Sequence, residues 1–267
     1  MSKALFYVFL LTFGLEGAYF SIFGGTPAVS HDNGNPFAFI PYLCMGAIVM
    51  WIPGCVGLFF AKREGLELRA FQKPDRIYFF AAFAAIGISF LALALSYPFN
   101  SINHSFISMK AGIVGGVTAL VFALTIHPLL TLGEELFWRG YLHEKLKHHG
   151  ILKASLIIGP IWGIWHAPLI LMGHNYGSHP YAGLLLMVAS TTAMSPIFFW
   201  FREKGKSILA PAVFHSAINS FGGFSFWLYL NPNPLLTGTA GLAGLFVFTV
   251  ISTLLIFRDK RQLVNAQ

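Results

Sequence analysis

Two adjacent carboxylates, Glu134 and Glu135, follow an almost wholly apolar run from Ala111 to Leu132. A helix continued through Gly133-Glu134-Glu135-Leu136-Phe137-Trp138-Arg139 places both acids at or inside the edge of a hydrocarbon layer. An ionisable side chain there costs at least about 2.5–3.5 kcal/mol by insertion scales, and such groups face a bundle interior or a wet cavity where partners await them. The other strongly polar side chains in apolar runs are few: Glu16, His127, His166, His215 and Asn219. A carboxylate, two imidazoles and a carboxamide include no nucleophile of the Ser or Cys kind, so the chemistry open to them is activation of water. Glu134 as general base, steadied by His166, would take a proton from a water attacking an amide carbonyl. His215 and Asn219 would then donate hydrogen bonds to the developing oxyanion. A zinc ion held by Glu134, His166 and His215 is the alternative, because two His and a Glu leave a coordination position open for water.

The rest of the chain must bring these residues together. Its 267 residues are 56% hydrophobic and only 10% charged, with a mean hydropathy of +0.68. That balance excludes an ordinary soluble domain and points to a polytopic all-α membrane protein, a single integral membrane domain over 1–267. Eight runs are long enough to cross about 30 Å of hydrocarbon at about 1.5 Å per residue: Ala4 to Phe23, Phe37 to Ala61, Ile77 to Tyr97, Ala111 to Leu132, Ile151 to Met172, Tyr181 to Phe201, Ser207 to Leu230 and Leu236 to Phe257. A signal peptide ending near Ala28-Val29-Ser30 competes for the first run, which is long for that role and holds Glu16. The formal charge of +7 is spread singly between apolar runs, which argues against nucleic acid. Topology accounts for it: with both termini in the cytoplasm, inner segments hold sixteen Lys and Arg and the outer loops hold Lys110 alone. Cys44 and Cys55 are too far apart along one helix to bridge.

Helix arithmetic then sets the levels. Glu134 lies sixteen residues before Gly150 and His166 sixteen after it, so a helical hairpin turning at His148-His149-Gly150, with Gly at the cap, brings them to one height. That height is about 24 Å from the turn, and the polar stretch from Arg139 to Lys147 puts the last turns of the hairpin in the cytosol. His215 comes eight residues after Ser207, at a similar depth. Glu135 and Arg139 are spaced i,i+4 in the favourable order, as are His215 and Asn219 on their own helix. Glu134 is turned about 100° from Glu135, leaving one acid for Arg139 and the other for a cavity. Pro128, Pro168 and Pro211 flank the site in three runs, where kinks would open room for water. Gly112 and Gly116 form a small-xxx-small pair suited to close helix approach. His143-Glu144 followed by His148 misses the HExxH spacing by one residue, and an exposed hairpin end is the reading preferred to a metal site. Asn103-His104-Ser105 matches a glycosylation acceptor in form only.

Glu134-Glu135-x-x-x-Arg139, an aromatic-x-x-x-His motif from Trp162 to His166, and His215-x-x-x-Asn219 together resemble the three motifs of the CAAX-protease and bacteriocin-processing (CPBP, or Abi) family of intramembrane endopeptidases. The resemblance covers about residues 111–230, with each motif on its own run and in the family's order. It implies a bundle of about eight transmembrane helices with a buried polar site between the fourth, fifth and seventh. It also implies Glu134 and His166 as the water-activating pair, His215 and Asn219 as the oxyanion site, and Glu135 and Arg139 as supporting residues. Trp162 departs from the Phe common at its position. The resemblance favours a metal-free glutamate mechanism over zinc. The expected function is therefore intramembrane proteolysis near the cytoplasmic face of a prokaryotic plasma membrane, acting on a peptide or lipid-anchored protein among membrane lipids. A non-proteolytic immunity or regulatory partner protein is the alternative. A proton-coupled transporter is third, and the two related halves with broken helices that it calls for are not visible in the sequence.

Overall fold

Apolar runs of this length satisfy every backbone polar group internally only as helices, and helices account for nearly all of the computed structural model. It describes residues 1–24, 40–69, 76–102 and 109–264, with the side chains of 109–111, 224–227 and 260–264 left aside. The helices are α1 (Ser2–Phe23), α2 (Ile40–Arg63), α3 (Arg76–Ser96), α4 (Met109–Leu124) and α5 (His127–Glu135), followed by a π-helical stretch, Leu136–Tyr141. The chain continues through α6 (Leu142–Leu146), α7 (Gly150–Trp165), α8 (Ala167–Leu171), α9 (Pro180–Gly205), α10 (Leu209–Trp227) and α11 (Leu242–Val264). Two short strands, β1 (Ser101–Ile102) and β2 (Tyr229–Leu230), pair antiparallel at one end of the bundle. Large apolar side chains such as Phe83, Leu185 and Phe246 point outward, while Glu134, Glu135, Arg139 and His215 are buried. That inversion of the soluble pattern is what a lipid solvent selects, and the chain is a multi-pass membrane protein.

The eight apolar runs are mostly helical where they are described, but not as eight unbroken spans, and the last becomes helical only at Leu242. Among the described residues, five helices are long and apolar enough to cross a membrane, or six if α4 and its bent continuation are one span. The fourth run breaks at Thr125-Ile126, just ahead of Pro128, and the fifth at His166, two residues ahead of Pro168. Both breaks follow from a proline that lacks the helical N–H and crowds the preceding turn. Pro211 makes no kink: it is the third residue of α10, where an N–H has no intrahelical partner to lose. The signal-cleavage-like Ala28-Val29-Ser30 and the sequon Asn103-His104-Ser105 lie outside the described residues. Cys44 and Cys55 are both free thiols.

The hairpin turns where expected. A 3-10 turn over Lys147–His149 leads into Gly150 at φ 77°, backbone that a side chain would strain. Across it, Trp138 meets Trp165 with ring centroids 6.0 Å apart, and the Arg139 guanidinium lies 4.1 Å from the Trp162 ring centre, so the two arms run level as the counting required. The small-residue packing falls elsewhere. A Cβ at Gly112 or Gly116 would meet nothing within 4 Å, so the proposed pair is not at a helix contact. Instead Gly159 and Gly163 of α7 bring its backbone against Thr192 and Val188 of α9, the small-xxx-small geometry on a different helix. Gly133 does the same for α5: a Cβ there would sit 2.5 Å from the carbonyl oxygen of Met50, and one at Gly54 would sit 2.5 Å from that of Gly133.

Candidate active site

Glu134 and Glu135 end α5, at the point where the helix widens into the π-helical turns. Their neighbouring positions send them to different partners. Glu135 accepts a hydrogen bond from Arg139 Nη1 at 3.1 Å, and its Oε1 also lies 2.8 Å from His215 Nδ1 on α10. Glu134 accepts from the indole Nε1 of Trp162 on α7 at 2.9 Å through Oε2. Both acids are essentially inaccessible, at 3% and 0% exposure. Arg139 is on Glu135, the half of the expected division that the i,i+4 spacing gives, while Glu134 meets an indole where a cavity was expected.

Trp162 is the hub of this cluster. Its ring lies 5.9 Å from His166 and 5.4 Å from His215, and the Arg139 guanidinium sits in the corner that it forms with the edge-to-face ring of Phe198, 3.8 Å from the latter's centre. A cation over two desolvated aromatic faces is held electrostatically as well as by packing. Trp162 was singled out in the sequence only as an aromatic; its polar edge does the contacting of Glu134. The signal available was chemical, since a buried indole N–H needs an acceptor.

His166 stands at the break between α7 and α8 and directs Nδ1 to its own Trp162 carbonyl at 2.8 Å. It is therefore near Glu134 through Trp162 and makes no direct bond to that carboxylate, so the steadying role expected of it belongs to the indole. His215 is buried and committed to Glu135 through Nδ1. Asn219, one turn further along α10, is exposed. His127, the remaining histidine of the fourth run, bonds Ser220 Oγ of α10 at 2.9 Å, and Thr131 Oγ1 donates to the Ala212 carbonyl at 2.8 Å. These two cross-links moor α5 to α10 and so fix Glu135 relative to His215. Among the described residues, no three His, Cys, Asp or Glu side chains are grouped to hold a metal ion. Glu134, His166 and His215 do not form a zinc ligand set as they stand, with Glu134 turned to an indole and His215 to Glu135.

One helical turn or more beyond Arg139 lies a second polar cluster. His143, expected at an exposed hairpin end, is instead 1% exposed and pairs with Glu203 of α9 at 2.6 Å. Arg202, also buried, donates to the carbonyls of Arg139 and Leu68 and to Glu144, each at 3.0 Å. Glu144 also pairs with Lys147 at 2.6 Å, and Glu64 with Lys145 at 2.5 Å and the Tyr141 hydroxyl at 3.0 Å. The hydrogen bond from Lys145, ahead of all other influences, holds the Glu64 carboxyl below its ordinary pKa. The Arg202–Arg139 bond satisfies a carbonyl inside the π-helical stretch, where the widened turn loosens the usual ladder.

Residues 116–221 match the family described as type II CAAX prenyl endopeptidase Rce1-like, a stretch that contains Glu134, Glu135, Arg139, Trp162, His166, His215 and Asn219. The chain is also 32% identical over 136 residues to a protein of Methanococcus maripaludis named CAAX prenyl protease 2. That alignment takes in 48% of this chain and 49% of the relative, so the chain matches about half the relative's length. Over the part that carries its three motifs, the chain is similar to the CPBP endopeptidases, as those motifs imply.

Proposed function

We propose that this chain is an intramembrane endopeptidase of the CAAX-protease type, which hydrolyses a peptide bond with a water activated by Glu134. The observation that carries the reading is the burial of Glu134 within one cluster with His166, His215 and Arg139, gathered about Trp162. With Oε2 fixed by the indole, Oε1 of Glu134 is the oxygen left to take the proton of water. The water oxygen bonds to the carbonyl carbon, the proton passes from Glu134 to the amide nitrogen, and the C–N bond breaks.

Charge on the carbonyl oxygen needs a donor. Because Glu135 as a carboxylate only accepts, its bond to His215 requires a proton on Nδ1, and Nε2 donates to the oxyanion when the ring is an imidazolium. Glu135 then stands to His215 as the buried acid stands to histidine in a hydrolase triad, setting its orientation and balancing its charge. Arg139 neutralises what remains of Glu135. Asn219 is the second donor, placed on the accessible side where a substrate enters. The basic termini of α2, α6 and α9 mark the end of the bundle that faces the cytoplasm, following the positive-inside rule, and the scissile bond is brought in from that side.

The test is cleavage of a prenylated CAAX peptide by the purified protein in detergent, for wild type and Glu134→Ala, with and without a chelator. The reading requires cleavage by the wild type, loss in the variant of at least about a hundredfold, and indifference to chelator. Equal turnover by the two proteins would remove Glu134 from the mechanism, and loss with chelator would assign the water to a metal. A folded wild type with no activity on prenylated or unprenylated peptides would favour the partner-protein function.

A further inference from the structure

Trp138 Nε1, Arg139 Nη2 and Ser155 Oγ are buried without a hydrogen-bond partner among the described residues. Their side chains meet in the wall of one cavity, between the hairpin and α9, together with His143, Ser195 and Phe199. Trp138, Arg139, Ser155 and Ser195 are each no more than 3% exposed. Ser155 stands one turn before Gly159 on the face of α7 that packs on α9, where a Cβ at Gly159 would come within 3.1 Å of Ser195 Oγ. The cavity measures about 10 Å³, about the least that holds one water, so an occupant of that size touches every wall.

The walls define what that occupant is. The Arg139 amino group and the Trp138 indole can only donate. The Ser195 hydroxyl gives its proton to the Thr191 carbonyl at 2.8 Å, which leaves its oxygen to accept, and the Ser155 hydroxyl can do either. His143 is already engaged with Glu203 through Nε2. One water completes this set: it accepts from the guanidinium and the indole and donates to the two hydroxyl oxygens. Among the described residues no carboxylate lines the cavity, so a metal cation finds no opposite charge there. The Arg139 charge is already met by Glu135 at 3.1 Å, which leaves a halide equally uncompensated.

We propose that this cavity binds one ordered water and that Ser155, acting through it, is a positioning residue for Arg139. Glu135 holds one amino group of the guanidinium and the water holds the other, so Arg139 is fixed from two sides against the rings of Trp162 and Phe198. A fixed Arg139 keeps Glu135 Oε1 where it also meets His215. The water stands on the cavity alone, while its effect on turnover rests on the peptidase reading.

Measurements on the full-length protein in detergent decide this. Synchrotron radiolysis makes hydroxyl radical from water bound inside a protein, and peptide mass spectrometry reads which side chains it oxidises. Trp138 should be oxidised faster than Trp165, which is also buried but has its N–H on Thr12. Ser155→Val, which fills the cavity, should bring Trp138 down to the rate of Trp165. Equal rates in the wild type, or no slowing in Ser155→Val, overturn the water. A Tm raised by chloride over gluconate at equal ionic strength, with the rise lost in Ser155→Val, gives the cavity to a halide and overturns it too. On a prenylated peptide, Ser155→Val should lower kcat about three- to tenfold with KM unchanged, the loss of one net hydrogen bond. Ser155→Ala, which keeps room for the water, should recover most of that loss. Wild-type kcat in Ser155→Val overturns the positioning role, and so does an equal loss in both variants that tracks a fall in Tm. A wild type without peptidase activity removes the preceding subsection and the positioning role together, and the radiolysis still decides the water.

Discussion

At the basic end of the hairpin, Arg202 makes three hydrogen bonds, and Glu64, Glu144 and Glu203 each meet a cationic or imidazole partner. A few turns away, the cluster around Glu134 is more deeply buried yet less completely paired. Glu135 Oε2, Arg139 Nη2, Trp138 Nε1 and Glu16 Oε2 all lack a partner among the described residues. Unpaired polar atoms in a low-dielectric interior are expensive, whereas satisfied ones make a rigid mount. The first cluster therefore reads as the clamp and the second as the place where atoms are kept available for something other than the fold. Arg202 connects them, because one of its bonds ends on the carbonyl of Arg139.

Substitutions test that contrast by separating stability from activity. Arg202→Met should have the largest effect on stability, about 3–5 kcal/mol, because it removes the buried charge that two carbonyls and Glu144 Oε1 are bonded to; thermal unfolding in detergent reads it. A near-wild-type Tm would mean the clamp is ornamental. Glu134→Gln should do the reverse, abolishing cleavage by at least about a hundredfold while leaving Tm unchanged or raised, since it removes a buried acid. A marked fall in its Tm would place Glu134 in the fold and weaken the contrast. Trp162→Phe keeps the ring contacts and removes the N–H, so peptide turnover should fall about ten- to hundredfold, in keeping with about 1.5–3 kcal/mol for a hydrogen bond to a charged group. Full activity in that variant would show that the indole edge is dispensable.

The smallest effect belongs to the clamp's outer edge and is pH-dependent. Lys145 holds the folded Glu64 carboxyl below its ordinary pKa, so the pair contributes stability above the unfolded value of about 4.3 and loses it as pH falls through the folded one. The stability difference between wild type and Glu64→Gln, read from thermal unfolding, should accordingly be present at neutral pH, amount to no more than about 1 kcal/mol for so exposed a pair, and vanish in acid. A difference that grows in acid would reverse the assignment.

Local helix geometry was legible in the sequence. The i,i+4 step from Glu135 to Arg139, the turn of Glu134 away from Glu135 and the level arms about Gly150 all follow from rise and angle per residue, and the structure contains them. What escaped was tertiary. Trp162 reaching Glu134, His143 sinking toward Glu203 and Arg202 crossing to the π-helical stretch each depend on which faces meet. In helices apolar on every side, no periodicity marks those faces. Gly112 and Gly116 illustrate the difficulty: their spacing is as favourable as that of Gly159 and Gly163, yet only the latter pair has a helix against it.

The seam between Gly54 and Gly133 has a bearing on how a peptide would reach the proposed site. Main chain rests on main chain there, immediately before Glu134, so no side-chain rotation can part α2 from α5. A doorway on that flank would require whole helices to separate. For the proposed peptidase, the flank where Asn219 is exposed is the route that needs no such separation, and a bulky residue installed beside Asn219 should slow the arrival of a peptide.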